Sequence, residues 1–133
     1  MLERMAHRSA CACDGDSGDG AGVMTAIPHE LYANDLKANS VHLPERGRYA
    51  TGLIFFDKKT YKQGIEAVND IVESCSFKVL FWRSPPVDSS VLGSESRKNE
   101  PCIRQIFVVG SCPSDDEMQR KVGVYNKCIR FRF

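Results

Sequence analysis

The most informative stretch for the fold is residues 49–83, which read YATGLIFFDKKTYKQGIEAVNDIVESCSFKVLFWR. Tyr49–Phe56 is rich in aromatic and branched apolar residues and predicts a strand, and Phe77–Arg83 predicts a second one. Between them, apolar residues recur every three or four positions across Lys58–Cys75, which predicts a helix with one apolar face. Asp57 stands where this helix would be capped. The stretch therefore predicts a strand, a helix and a strand in succession.

Weaker patterns flank this stretch on both sides. Ile103–Val109 predicts a third strand, Ser114–Lys127 predicts a second helix, and Ser84–Pro101 predicts a long polar loop. On the N-terminal side, Ala21–Ile27 predicts a buried strand and His29–Ala38 predicts a short helix. Helices and strands are mixed along the chain, so the sequence predicts an α+β or α/β layer and excludes an all-β fold.

The composition gives no attraction to nucleic acid or to membranes. The chain has 133 residues, with 18 Lys and Arg against 17 Asp and Glu, so its net charge is +1. Binding to nucleic acid or anionic lipid needs a surplus of basic residues. No apolar run approaches the ~18 residues of a membrane span, and the N-terminus has no apolar core of a secretory signal. We therefore expect a cytoplasmic chain with no nucleic-acid and no membrane partner.

The cysteine pattern predicts free thiols rather than disulfides or a metal site. Without a secretory signal we expect a reducing compartment, where disulfides are rare. Zinc sites need paired ligands at recognisable spacing, and the chain has only Cys11 and Cys13 with His7 upstream and no fourth ligand. The six cysteines are Cys11, Cys13, Cys75, Cys102, Cys112 and Cys128.

The sequence context does not support a phosphate-binding loop, a calcium loop or a catalytic histidine. The segment 17–22, SGDGAG, has the glycines of a phosphate cradle, but it follows a helical pattern and precedes a strand pattern, which is the reverse of nucleotide-binding loops. A tight turn is the better interpretation. The aspartates of residues 14–19 lack the spacing of a calcium loop. His7, His29 and His42 have no serine or cysteine partner at catalytic spacing, so the residues alone predict no nucleophile–base pair.

A resemblance to a known family comes from residues 7–22, which read HRSACACDGDSGDGAG. This block is similar to the signature of the glutamine amidotransferase domain of glutamate synthases, and Ile27-Pro28-His29 follows at the matching place. The similarity continues to about residue 109 and fades after it. We therefore expect residues 1–109 to be a partial glutamine amidotransferase type 2 domain, and residues 110–133 to be a divergent C-terminal helix and tail.

The resemblance implies a fold and a reaction. The fold is a partial αββα sandwich of the N-terminal-nucleophile hydrolase type, incomplete at both ends. In this family an N-terminal cysteine attacks the side-chain amide of glutamine, its own α-amine acts as the base, and ammonia is released. The complete enzyme serves glutamate biosynthesis and ammonia assimilation. It uses FMN and an iron–sulfur cluster, with NAD(P)H or ferredoxin as the electron donor. The implied partners are glutamine and the remainder of the glutamate synthase polypeptide.

The chain departs from the family pattern at its start. It begins Met1-Leu2-Glu3, which matches the interior of the first family helix, so the strand that starts with the nucleophilic cysteine is not matched. We therefore assign no catalytic, cofactor-binding or metal-binding residue and expect the chain to be inactive alone. The matching motif positions are assigned structural roles, and they are His7, Arg8, Asp19, Gly20 and Gly22.

A second hypothesis comes from a different class of protein. The chain would be a non-catalytic interaction module that pairs with a partner strand through an open sheet edge.

Overall fold

The computed structural model describes residues 10–18, 20, 22, 25–111 and 114–130. Within these residues the chain divides into two compact units. The first takes the chain up to Ile27 together with Pro86–Pro101, and the second takes Pro28–Pro85 together with the chain from Cys102 onward. Each unit is described separately below.

A three-stranded antiparallel sheet forms the centre of the second unit. β1 pairs with β3 without interruption, starting with Ala50 opposite Val108, whereas the pairing of β2 with β3 has a bulge between Val79 and Phe81. Both outer strands pair with β3 and not with each other, because the spatial order is β1-β3-β2. The strands are β1 (Ala50–Phe56), β2 (Phe77–Arg83) and β3 (Cys102–Gly110).

Helices lie in both units. Among the described residues, the first unit contains a five-residue helix and a short 3-10 turn at Ser89–Val91, and the second unit contains three longer helices. No helix of the described residues is long and apolar enough to cross a membrane. The helices are α1 (His29–Ala38), α2 (Tyr61–Ser74), α3 (Ser94–Lys98) and α4 (Asp115–Arg130).

The larger apolar core lies between one face of the sheet and the helices α2 and α4. Val68, Ile71 and Val72 are the buried residues of α2, and their spacing places them on one face of the helix. Full burial of one such side chain contributes about 1.5–3 kcal/mol to folding. The buried members of this core are Phe56, Val68, Ile71, Val72, Phe77, Ile106, Val108 and Met118.

A smaller core covers part of the opposite face of the sheet. Leu36 of α1, Leu43 and Tyr49 pack there against Phe107, which is fully buried. The Tyr32 ring meets the Phe107 ring edge-on, with their centroids 5.3 Å apart. Strand β3 is therefore buried on both faces.

One end of that opposite face is open. Thr51, Leu53 and Phe55 of β1 share one face of the sheet, since residues two apart on a strand point to the same side. Thr51 is paired with Phe107, so this is the face of Phe107. Their exposed fractions are 55% for Leu53 and 62% for Phe55. Within the described residues, the sheet thus presents an uncovered apolar end.

The predicted fold class is confirmed as α+β, because the sheet is antiparallel and the helices lie outside it. The three predicted strands match β1, β2 and β3 within about a residue at each end. The predicted helix at Lys58–Cys75 begins later, at Tyr61. The Asp57 carboxylate accepts hydrogen bonds from the N–H groups of Lys59 (2.8 Å) and Thr60 (3.2 Å), and this turn delays the helix.

Two predictions differ from the structure. The strand predicted at Ala21–Ile27 is wrong for its described residues, Gly22 and 25–27, which belong to no strand, and Ile27 is 52% exposed. This run is rich in Ala, Gly and Thr, which offer little apolar area to bury. The predicted loop Ser84–Pro101 contains α3, which at five residues is too short to show helical periodicity.

The packing of α2 on the sheet predicts that position 64 requires glycine. A Cβ added at Gly64 would lie 2.5 Å from the ring of Phe56, a buried side chain. We expect Gly64→Ala to lower the free energy of unfolding by up to about 2 kcal/mol, because overpacking exceeds the gain in helix propensity. Urea denaturation measures this change.

The matched control is Gly123→Ala in α4. A Cβ there meets no atom within 4 Å among the described residues, so only the propensity gain remains. We expect this variant to be up to about 1 kcal/mol more stable. Equal stabilisation of both variants would contradict the close approach of α2 to Phe56.

Candidate functional site

Within the signature, residues 11–18 form a hairpin in the first unit. Cys11 and Gly18 form an antiparallel bridge, and the Ala12 N–H donates to the Ser17 carbonyl at 2.7 Å. Gly15 turns the chain with a φ of +66°, a left-handed conformation that glycine adopts without strain. The observed turn lies between Ala12 and Ser17, ahead of the segment 17–22, for which the tight turn stays a prediction.

The Asp14 carboxylate is the centre of this hairpin's hydrogen bonds. Its Oδ1 accepts from the backbone N–H groups of Ser17 (2.9 Å) and Asp16 (3.2 Å). Its Oδ2 accepts from the Ser17 hydroxyl (2.6 Å), the Ser94 hydroxyl (3.1 Å) and the Glu95 N–H (3.2 Å). These bonds, led by that of the Ser17 hydroxyl, hold the pKa of Asp14 well below its usual range.

The hairpin caps α3 from outside the helix. The first N–H groups of a helix have no partner within it. Here Asp14 accepts from the N–H of Glu95, and the Ser17 hydroxyl oxygen accepts from the N–H of Ser96 at 3.0 Å. The Asp14 charge is also favourable at a helix N-terminus. The side chains of the signature thus anchor a helix some 80 residues further along the chain.

Gly93 lies at the closest approach of the hairpin and α3. A Cβ at this position would lie 2.5 Å from the Ser17 hydroxyl oxygen and 2.7 Å from the Ser17 nitrogen. Ser17 is only 4% exposed, so it has no space to move away. Only glycine fits at position 93 without moving the hairpin.

The positions singled out in the sequence have different outcomes. His7, Arg8 and Asp19 lie outside the described residues. Gly20 has a φ of +88°, and Gly22 is exposed with open space around its Cα. No group of three or more His, Cys, Asp or Glu residues converges in the described part of the chain. The structural roles assigned to these five positions stay predictions.

A second polar network lies in the second unit and crosses the sheet. Arg83 donates from Nε (2.8 Å) and Nη2 (2.5 Å) to Asp35 Oδ2, and from Nη1 (3.1 Å) to Gln105 Oε1. Gln105, 4% exposed, donates in turn to the Thr51 hydroxyl at 3.0 Å. The Arg83 guanidinium lies 5.7 Å from the centre of the Tyr32 ring. This network joins all three strands to α1.

The sequence patterns do not predict this hydrogen-bond network. Alternation along a strand places Arg83 and Phe81 on one face, and an inward-facing arginine requires a carboxylate or amide partner. This requirement is the one feature of the sequence that indicates a polar partner for Arg83. It does not say which of the 17 acidic residues supplies the partner, because Asp35 is 48 positions away in sequence.

A cleft of about 690 Å³ runs along α1. His29, Ala33 and Lys37 line one wall at helical spacing, and residues 40–43 with Glu45 line the other. His29 Nδ1 lies 3.2 Å from the Tyr49 hydroxyl, and burial raises the pKa of Tyr49. In the described structure no hydrogen bond joins Ser40 to a histidine.

Comparison with known proteins identifies the family. The family model for class-II glutamine amidotransferases matches residues 1–132, so the chain belongs to this family. The match includes most of the segment after residue 109.

The curated relatives are glutamate synthases. Ferredoxin-dependent glutamate synthase 2 of Synechocystis is 38% identical over 130 residues, which are 94% of this chain and 8% of that protein. Glutamate synthase [NADH] of Saccharomyces cerevisiae is 39% identical over 126 residues, 90% of this chain and 6% of that protein. The glutamate synthase [NADPH] large chain of Bacillus subtilis is 34% identical over 131 residues, 96% of this chain and 8% of that protein. The chain thus spans less than a tenth of the length of these relatives.

The cap on α3 predicts an acid dependence. Because the pKa of Asp14 is lowered in the folded state, the stabilisation that its carboxylate provides is fully present above its ordinary value of 3.8. It is lost as the pH falls through the lower folded value. We expect the Glu95 amide to stay protected from exchange until the pH is well below 3.8, and Asp14→Asn to weaken this protection at neutral pH. NMR measurement of Glu95 amide exchange during an acid titration checks both expectations.

Asp16→Asn is the control for this experiment. Asp16 reaches the Asp14 carboxylate only through its backbone N–H, so this variant should keep the wild-type acid profile. Loss of Glu95 protection in the ordinary titration range of aspartate would contradict the role of Asp14.

The network of Arg83 predicts an energetic coupling. Arg83→Ala leaves the Asp35 carboxylate and the buried Gln105 amide without their donor, so we expect a loss of about 1–3 kcal/mol of stability. A double-mutant cycle with Asp35→Ala should show a coupling of at least about 0.5 kcal/mol. Lys78→Ala, an exposed change on the same strand, should have little effect. Additive effects of Arg83→Ala and Asp35→Ala would rule out the coupling.

Proposed function

We propose that this chain forms part of the glutamine-hydrolysing domain of a glutamate synthase. In this role it contributes to the release of ammonia from glutamine for glutamate biosynthesis. The observation that carries the proposal is the match of the class-II amidotransferase model to residues 1–132. The three relatives described above support it, since they are glutamate synthases whose names include ferredoxin, NADH or NADPH. Glutamine is the proposed substrate, and the rest of a glutamate synthase is the proposed partner.

We propose that this chain is a scaffold within an αββα sandwich of the N-terminal-nucleophile type. Its three-stranded sheet would be part of one of the two sheets, with α2 and α4 as its outer helical layer. The exposed end at Leu53 and Phe55 supports this arrangement, since an uncovered apolar sheet surface is suited to pack on another layer. We also propose that this chain supplies only part of the sandwich.

The proposed role does not place the chemistry on the described thiols. A catalytic cysteine needs a base within hydrogen-bond reach. Among the described hydrogen bonds, neither Cys11 nor Cys13 has such a base, and both thiols are exposed. We therefore propose that a polypeptide of these 133 residues does not hydrolyse glutamine alone.

The cofactors of glutamate synthases are proposed to bind outside this chain. An iron–sulfur cluster requires about four converging thiolates. The described cysteines do not fit, because no group of three or more ligating side chains converges in this part of the structure. FMN and the electron donor, NAD(P)H or ferredoxin, are likewise assigned to the rest of the enzyme.

A chimera tests the function directly. Residues 1–132 replace the matched region of the Bacillus subtilis large chain, and glutamine-dependent glutamate formation is measured with the complete enzyme. Because a scaffold of the same fold should support the host's own catalytic residues, we expect activity within about tenfold of the parent enzyme. A chimera carrying Gly93→Val should lose activity, since that side chain would displace the Ser17 hairpin.

The isolated chain provides the complementary assay. We expect no ammonia release from glutamine above the blank. Release that disappears in Cys11→Ala or Cys13→Ala would overturn the scaffold role. A folded chimera that fails to form glutamate from glutamine but still uses added ammonia would contradict the proposed place in the glutaminase domain.

One observation favours the second hypothesis, an interaction module. β1 and β2 are both outer strands among the described strands, and β1 carries no charged residue. Outer strands of this kind can pair with a strand of a partner. The chimera separates the two functions, because an unrelated interaction module would not restore glutamine-dependent activity.

A further inference from the structure

Two exposed thiols, Cys11 and Cys13, lie one residue apart on the hairpin of the first unit. The proposed function uses neither of them. Cys11 is in a bridge with Gly18, and Cys13 follows in the turn that begins at Ala12. The remaining described cysteines, Cys75 and Cys102, are half-buried in the other unit.

The backbone allows these two thiols to meet. Cα atoms two residues apart are separated by at most about 7 Å, and disulfides bridge Cα atoms about 4.4–6.8 Å apart. Cys13 lies within the turn that begins at Ala12, whose carbonyl accepts from the Gly15 N–H at 3.0 Å. Closing the disulfide therefore requires Cys13 to move towards Cys11 within this turn.

Such a movement would reach the cap on α3. Cys13 directly precedes Asp14, whose carboxylate holds the hairpin and the first turn of α3 together. Hydrogen bonds weaken steeply when the donor and acceptor are displaced. A change in the position of Cys13 is thus transmitted to Asp14 through a single peptide unit.

We propose that Cys11 and Cys13 are a reversible oxidation site, and that the disulfide between them releases α3 from the hairpin. In the first step one thiolate attacks oxidised glutathione, giving a mixed disulfide and one reduced glutathione. The second cysteine then displaces the bound glutathione. In sum, two protein thiols lose two electrons and two protons, and one glutathione disulfide becomes two glutathione thiols. A thiol reductant reverses the reaction.

The test uses the full 133-residue chain in glutathione buffers of graded redox ratio. Alkylation followed by peptide mass spectrometry locates the disulfide, and NMR measures amide exchange. We expect a peptide with Cys11 joined to Cys13, lighter by the mass of two hydrogen atoms. The Glu95 N–H donates to Asp14 and the Ser96 N–H donates to Ser17 in the reduced hairpin. Both N–H groups should exchange at least about tenfold faster in the oxidised chain.

Matched variants complete the test. Cys11→Ser and Cys13→Ser should each abolish the oxidation-dependent change, whereas Cys75→Ser should leave it intact. Three outcomes would overturn the proposal: only single glutathione adducts on either thiol, a disulfide to another cysteine, or a Cys11–Cys13 disulfide with unchanged exchange at Glu95. Because both thiols are exposed, serine at either position should leave the fold unchanged.

Discussion

Strand β3 holds the second unit together because it is the one described strand that pairs on both sides. β1 and β2 do not pair with each other, so the sheet exists only through their hydrogen bonds to β3. Its side chains also connect the two apolar cores. Ile106 and Val108 face α2 and α4, whereas Phe107 faces α1. Substitutions in this strand therefore affect the backbone pairing and both cores at once.

The first unit is held together by a different kind of interaction. Its two buried residues among those described are Ser17 and Gly93, and neither contributes apolar area. Hydrogen bonds of the Asp14 carboxylate take the place of a core, and they fasten the signature hairpin to α3. Three residues of the signature thus have a structural explanation: the Asp14 carboxylate, the Ser17 hydroxyl three residues later and Gly15 at the turn. The stability of this unit therefore depends on the ionised Asp14 carboxylate and on the position of the hairpin against α3.

The elements with long, regular patterns could be predicted from the sequence, whereas contacts between distant residues could not. β1 and β2 follow from runs of aromatic and branched apolar residues in 49–83, and α2 follows from the spacing of apolar residues between them. The start of α2 at Tyr61 could not be predicted, because it depends on the Asp57 carboxylate accepting from the N–H groups of Lys59 and Thr60 in a turn ahead of the helix. The anchoring of α3 by Asp14 and of α1 by Arg83 joins residues 81 and 48 positions apart. Periodicity contains no information about such pairs.

The most direct measurement for the architecture is residue-by-residue amide hydrogen exchange along the three strands. A strand that pairs on both sides uses every N–H group, and an outer strand uses alternate ones. The structure therefore predicts protection at consecutive residues through the interior of β3 and at alternate residues along β1 and β2. Alternate protection along β3, or continuous protection along β1 in the isolated chain, would show a different strand order and contradict this account of the sheet.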